Sequence, residues 1–188
     1  MVLDSIDVLT DTANEFSTFA KLYSEEMVEI DLDALASDQI SMFDNREDII
    51  FEYYGLRGAK VMGPKPQLTR VFVNLLTNAV QALEARIQDG GDTEKEQFRG
   101  RVVLSLRNSS KDGFYDIVVE DNGPGIKDEN RARLFTPNFT TKSSGTGLGL
   151  AICKNIIERC GGEIFYSRSF SLKGACFTVR YPKPPTSA

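Results

Sequence analysis

The stretch Thr140–Gly162, TTKSSGTGLGLAICKNIIERCGG, sets three glycines at alternate positions, Gly145, Gly147 and Gly149, just ahead of an apolar pattern of helical period. Glycines so placed free backbone N–H groups to face an anion, and the helix after them adds the positive end of its dipole. Lys142, immediately upstream, can supply a full positive charge. The residues before the glycines, FTTKSS, are polar and loop-like, which argues against a dinucleotide-binding unit, since that fold needs a strand there. No G-x-x-x-x-G-K-[ST] occurs, so a P-loop is excluded. Thr146–Arg159 is expected to be a helix, closed by Gly161–Gly162.

Working upstream, residues 122–145, NGPGIKDENRARLFTPNFTTKSSG, form a long glycine- and threonine-rich segment with one possible helical turn near Glu129–Leu134. A loop of this length inside a compact domain is usually functional. It begins at VVEDNGPGI, where Asp121 stands at the end of an apolar strand and is followed by Gly123 and Gly125. Two readings stay open. One is a turn with Asn-Gly punctuation. The other is a carboxylate at a pocket mouth, accepting a hydrogen bond from an exocyclic amine while the glycines let a ligand approach.

Farther upstream, Pro66–Gln88 keeps Leu68, Phe72, Leu75, Leu76, Ala79 and Leu83 in helical period. Asn74, Asn78 and Gln81, spaced 4 and 3, share a different face. Asparagine is a mediocre helix former, so two of them one turn apart invite explanation. Either they are a solvated polar face, or an amide oxygen there ligates Mg²⁺, an ion that keeps waters and bridges phosphates.

Around these segments, Met27–Asp31, residues 48–55, 101–108, 115–121, 163–168 and 175–182 read as strands, and Leu32–Asp44 as a short helix. Residues 101–121 read as a hairpin around SSKDG. Hairpins alternating with helices predict an α+β, two-layer sandwich. At the N-terminus Val2, Ile6, Leu9, Ala13, Phe16, Ala20 and Tyr23 are spaced 4, 3, 4, 3, 4, 3, an a/d seam over three heptads. Such a helix either packs on its own domain or pairs with another chain. Its terminal position and polar remaining faces favour pairing.

The bulk of the 188 residues narrows the function class. Hydrophobic residues make up 41% and charged residues 26%, as in a packed globule, and no apolar run approaches a membrane span. The first residues carry Asp4, Asp7 and Asp11 and no base, unlike a signal peptide. The net charge of −5 is uneven: residues 1–52 hold 14 acids and 2 bases, and the remainder 13 acids and 20 bases. That basic remainder suits an anionic ligand. Its bases are scattered and not interleaved with aromatics, which speaks against nucleic acid. Cys153, Cys160 and Cys176, with no histidine in the chain, read as free thiols of a reducing compartment rather than a zinc site.

In order, LTRVFVNLLTNAVQAL, DNGPGI, LFTPNFTTK and GTGLGLAI resemble the asparagine box, first glycine box, phenylalanine box and second glycine box of the catalytic and ATP-binding domain of bacterial sensor histidine kinases. That family lies within the wider GHKL group of ATPases and kinases, and the wording here looks most like its nitrogen-regulation branch. The four boxes span roughly Gly63–Pro182.

The resemblance implies a Bergerat-type ATP-binding fold, with a mixed, mostly antiparallel sheet and helices on one face, over residues 25–184. Residues 185–188 would be a tail. It implies ATP and Mg²⁺ as cofactors. Asn78 would ligate Mg²⁺, with Asn74 supporting it. Asp121 would bind the adenine amine, and Gly123, Gly125 and Ile126 would line its pocket. Phe139, Thr140, Thr141 and Lys142 would belong to a mobile lid from about Asp128 to Ser144. Lys142 would meet the terminal phosphates among the backbone of Gly145, Thr146, Gly147, Leu148 and Gly149.

Asn74 stands where hydrolysing relatives hold a water-activating glutamate, which suits phosphoryl transfer. Gln81 stands where many sensor kinases hold a phosphate-contacting lysine, so Lys142, Arg131 or Arg133 would supply that charge. Residues 1–24 resemble the second helix of a dimeric phosphoacceptor hairpin, whose histidine this chain lacks. The implied partners are that histidine helix, a response regulator and a second copy in the full-length protein, all in the cytoplasm, with a membrane anchor outside this chain an open question. An anti-sigma-type serine kinase and a non-catalytic nucleotide-binding dimerisation module are the alternatives.

Overall fold

The computed structural model describes residues 26–89, 98–142 and 145–185. The seam at Val2–Tyr23, most of the polar loop after the long helix and the end of the tail lie outside the described residues. The elements run β1 (Val28–Asp31), α1 (Leu32–Ser41), β2 (Ile49–Tyr54), β3 (Lys60–Gly63), α2 (Lys65–Asp89), β4 (Gly100–Asn108), β5 (Phe114–Asp121), α3 (Asp128–Arg131), α4 (Gly149–Arg159), β6 (Glu163–Arg168) and β7 (Ala175–Pro182).

Five strands form the main sheet in the order β2-β4-β5-β7-β6. β2 runs parallel to β4, from Ile49 opposite Gly100 to Tyr54 opposite Ser105, and every other pairing is antiparallel. β1 and β3 make a separate antiparallel pair. The period-two alternation of the strands sends Val102, Leu104, Leu106, Ile117, Val119, Phe177, Val179 and Tyr181 into one core with the helices. Their neighbours Arg107, Asp116, Glu120 and Arg180 take the opposite face. There Arg180 makes a two-pronged bond to Asp116, 2.9 and 3.2 Å.

α2 supplies the predicted apolar face: Leu68, Phe72, Leu75, Leu76, Ala79 and Leu83 are all buried. Each large side chain so placed contributes about 1.5–3 kcal/mol. α4 buries Ala151, Ile152, Cys153, Ile156 and Ile157 beside it. Asp31 caps α1 by accepting from the Ala34 amide at 2.9 Å. Tyr181 joins the small sheet to β7 by donating to the Met62 carbonyl at 3.1 Å.

Four elements differ from the sequence expectation, the first being α1, which ends at Ser41 rather than Asp44. α4 begins at Gly149, not Thr146, because Gly147 sits at φ +69°, outside the right-handed helical region. α3 is confined to Asp128–Arg131 and is followed by turns. β3, which the sequence pattern did not announce, is a four-residue strand ending in glycine.

Candidate functional site

The polar stripe of α2 is the floor of the site. Asn74, Asn78 and Gln81 face away from the helix's buried leucines, as their spacing requires. The ammonium of Lys142 donates to Asn78 Oδ1 at 2.9 Å and to Gln81 Oε1 at 2.5 Å. Two amide oxygens thus converge on one cation. Lys142 is exposed as a whole, yet partial loss of water around its ammonium lowers its pKa. Asn74 turns toward α4, where its Nδ2 donates to the Gly149 carbonyl at 3.5 Å. Its amide also meets the Cys153 thiol, whose pKa burial pushes up to about 12, so that sulfur is a packed and inert group.

Asp121 forms the second corner. It ends β5 almost fully buried, and its Oδ1 accepts from the Gly123 amide at 2.8 Å and the Ala175 amide at 3.1 Å. Burial raises its pKa, against the pull of those two bonds. The neighbouring Asn122 is the structural half of the turn: its side chain accepts from Arg101 N at 2.7 Å and donates to Arg99 O at 3.0 Å, extending the β4–β5 ladder. The space around Asp121 is kept open by missing side chains. A Cβ on Gly123 would come within 2.9 Å of Asp121 Oδ1. A Cβ on Gly174, in the β6–β7 turn, would run into the Asp121 carbonyl and lie 2.5 Å from Oδ1 and 2.6 Å from the Gly123 nitrogen. Gly125, at φ +71°, carries the chain past Gly174 to Ile126, whose amide donates to the Tyr166 hydroxyl at 3.2 Å. The two corners meet through Ala82, next to Gln81, whose Cβ lies 3.5 Å from where a Gly123 Cβ would be.

The third corner is the glycine stretch. Gly147 presses on the backbone of Asn138 and Phe139, where a Cβ would sit 2.6 Å from the Asn138 carbonyl carbon. Gly145 presses likewise on Thr140 Oγ1, which also accepts from the Lys142 amide at 3.1 Å. The two ends of the loop are therefore pinned together, bringing Phe139, Thr140 and Lys142 beside Gly145–Gly149. Leu148 caps α4 with no side-chain hydrogen bond, so the first-turn N–H donors are not taken by a side-chain cap. Thr146 Oγ1 lies 3.4 Å from the Leu148 amide, and Thr141 is exposed.

Of the three cations named from sequence, Arg131 is engaged with Asp128 at 2.7 Å and lies over Tyr166, and Arg133 lies over the Phe139 ring at 4.5 Å. Lys142 is the one seated on the α2 amides. Sequence reasoning missed Gly174, Tyr166 and Ala82. A lone glycine in a polar turn, a strand tyrosine and a helix alanine carry no chemical signature of their own.

The residues present fit a metal bound with a phosphate chain. The Lys142 ammonium marks a cation seat at Asn78 Oδ1, and the protein oxygens there are neutral amides. Among the described residues no cluster of carboxylates or thiols could hold a metal alone. A divalent ion at Asn78 would take its remaining ligands from phosphate and water, the habit of Mg²⁺.

The family described as "Histidine kinase-, DNA gyrase B-, and HSP90-like ATPase" matches residues 63–185. The chain is 37% identical over 123 residues to the sensor histidine kinase ZraS of Salmonella typhi, covering 65% of this chain and 23% of that protein. It is 30% identical to the signal transduction histidine-protein kinase AtoS of Escherichia coli (strain K12), covering 98% of this chain and 29% of that protein. The chain thus spans about a quarter of the length of these relatives. A solved catalytic domain of the histidine kinase ThkA is 27% identical, with TM-score 0.67, covering 84% of this chain and 96% of that one.

Proposed function

Because this chain belongs to the histidine kinase-, DNA gyrase B-, and HSP90-like ATPase family, as the catalytic and ATP-binding domain of a sensor histidine kinase, we propose that it transfers the γ-phosphoryl group of ATP to a histidine it does not itself contain. One observation carries the reading. A single turn of α2 joins a cation seat at Asn78 to the buried Asp121 through Ala82, an arrangement that suits a nucleotide lying along the helix.

In this reading Asp121 accepts from the exocyclic amine of adenine through Oδ2, its Oδ1 being held by two backbone amides. Gly123, Gly125 and Gly174 leave room for the base and Ile126 walls it. The phosphates lie against the N-terminus of α4, among the backbone of Gly145, Thr146, Gly147, Leu148 and Gly149, under Phe139, Thr140 and Thr141. Lys142 brings a positive charge to the terminal phosphate. Asn78 would hold Mg²⁺ with Asn74 in support; when bound, that ion neutralises and orients the phosphates.

Asn74 is an amide and takes no proton from water near neutral pH, so the site favours an incoming imidazole nitrogen over hydrolysis. The nitrogen–phosphorus bond forms, the bond to the β-phosphate oxygen breaks, and ADP leaves. The residues supply position and charge rather than covalent chemistry.

Residues 25–184 are the catalytic domain in this proposal, 185–188 a tail, and 1–24 the second helix of the phosphoacceptor hairpin in a homodimeric parent. A response regulator is the next acceptor, and the cytoplasm the compartment. Among the described residues no helix is long and apolar enough to cross a membrane. The test is calorimetric titration with ATP, with and without Mg²⁺, on this chain and on Asn78→Ala. Binding that tightens with Mg²⁺, and loses that dependence on the order of tenfold in the variant, is expected. No heat with ATP under either condition would overturn the proposal.

A further inference from the structure

Lys142 reaches α2 from a loop, and two side chains hold it there: Asn78 Oδ1 at 2.9 Å and Gln81 Oε1 at 2.5 Å. The shorter bond is to Gln81, which the proposed mechanism does not use. Asn78 Oδ1 is also the oxygen proposed for the metal. A divalent ion and an ammonium on one amide oxygen repel each other, so the two cannot share it at full occupancy. We infer that Gln81 is a positioning residue for Lys142: it clamps the 136–142 segment onto α2 through the ammonium, and a divalent cation must displace that ammonium from Asn78 to bind. The displaced lysine stays beside the phosphates, one step from its seat, so metal entry and charge delivery become a single exchange. The clamp itself rests on the geometry alone; only the identity of the displacing ligand, metal with ATP, rests on the proposed function.

The geometry also says which part of the loop is held. Gly147 and Gly145 pin residues 138–140 from one side, and the Lys142 clamp fastens the next two residues from the other. Loss of the clamp should therefore be felt at 136–142 and spare the sheet and α2, whose hydrogen bonds are internal to those elements.

The experiment is amide hydrogen exchange of the whole chain without added nucleotide, read by mass spectrometry. Gln81→Ala should raise exchange at residues 136–142 roughly three- to tenfold, the range set by losing one ordinary solvent-exposed hydrogen bond while the bond to Asn78 remains. Exchange in α2 and β4–β5 should stay as in the parent, which shows that the variant folds. Gln81→Glu, which keeps an acceptor oxygen in the same place, should restore protection. Lys142→Met removes the bonds to both Asn78 and Gln81 and should raise exchange at least as much as Gln81→Ala does, and the double variant should not exceed Lys142→Met, since the Gln81 bond needs the lysine. Unchanged exchange in Gln81→Ala, failure of Gln81→Glu to restore it, or additive effects in the double variant would each overturn the clamp. ATP titration of the same samples separates the two ideas: a parent chain that takes up no ATP sinks the nucleotide reading and leaves the exchange result standing.

Discussion

Gly174→Ala tests how tightly the pocket around Asp121 is built. Gly174 is buried and has no left-handed backbone angle, so alanine there meets no conformational penalty, only a steric one. The added methyl would collide with the Asp121 carbonyl and lie 2.5 Å from Asp121 Oδ1 and 2.6 Å from the Gly123 nitrogen. Two of those three atoms are backbone, in the turn that ends a central strand, so they cannot swing aside as a flexible side chain would. Overpacking costs about 1–3 kcal/mol, and backbone neighbours put this case near 3. For a chain of this size each kcal/mol is worth roughly 2–4 °C, so the melting temperature should fall by about 6–12 °C. Any relief must push Asp121 away from β7, lengthening its bond to the Ala175 amide and shifting the oxygen that the proposed function offers to the base. ATP affinity should fall by at least about tenfold, the worth of one displaced hydrogen bond.

The control is Gly113→Ala. Gly113 is at φ +79° with nothing within 4 Å of its Cβ position, in the turn between β4 and β5. That variant meets strain without a clash, costing about 1–2 kcal/mol, and should bind ATP as the parent does. Thermal melts and calorimetric titrations of both variants decide the matter. If Gly174→Ala melts no lower than Gly113→Ala, the pocket yields more easily than its geometry says. If it melts lower and still binds ATP normally, the strain is absorbed away from Asp121 and the assignment of Gly174 to the site is wrong.

Three further outcomes are expected. Asp121→Asn keeps an oxygen for the Gly123 and Ala175 amides but turns an NH₂ toward the base, so titration should show ATP weakened about 10- to 100-fold and inosine triphosphate, which offers an acceptor there, weakened less. Because burial raises the Asp121 pKa in the folded chain, its contribution to stability falls as pH rises from about 3.9 through the folded value. Asp121→Asn should therefore compare better with the parent in melts at pH 7 than at pH 4, and equal differences at both would refute the raised pKa. Asp116 has the opposite sign. Burial works against its charge, but the bonds from Arg180 and Ser109, with the Arg180 and Arg107 charges, prevail and lower its pKa. Its stabilisation is present above about pH 4 and is lost as pH falls through the folded value. Asp116→Asn should cost about 2 kcal/mol at pH 7 in chemical denaturation, with the deficit shrinking in acid; a deficit constant with pH would mean the Arg180 bond does not depend on charge.

Much of this fold is legible because its strands alternate and its long helix keeps strict period. Leu68 to Leu83 name the buried face of α2, and Asn74, Asn78 and Gln81 the other, with no structure needed. β3 escapes such reading: Lys60–Gly63 has two inward positions, one of them a glycine under the Tyr181 hydroxyl, too few to show a period. The parallel pairing of β2 with β4 escapes too, because local pattern fixes which residues face inward and says nothing of the neighbour's direction. At the site, residue types announce the amide stripe, the carboxylate and the glycines. Choosing Lys142 over Arg131 and Arg133 depends on where a loop crosses α2, and Gly174 matters through an atom it lacks, in a turn more than fifty residues from Asp121. Both facts are tertiary.

The sheet's strand pairing omits the segment that follows Asn122. β4–β5 and β6–β7 are neighbours along the chain and can zip early, whereas β5 finds β7 only across that segment and α4, from Phe114 opposite Pro182 to Glu120 opposite Cys176. The free energy of closing such a loop grows only with the logarithm of its length, about 0.6 kcal/mol for each doubling. Insertions and deletions between Lys127 and Arg133, short of the buried Leu134, would thus cost folding little, and in the proposed function they would change how nucleotide enters and leaves. Tolerance of added side-chain atoms is narrow at Asp121, Gly123 and Gly174, where pocket and strand ends are the same atoms, and wide a few residues later.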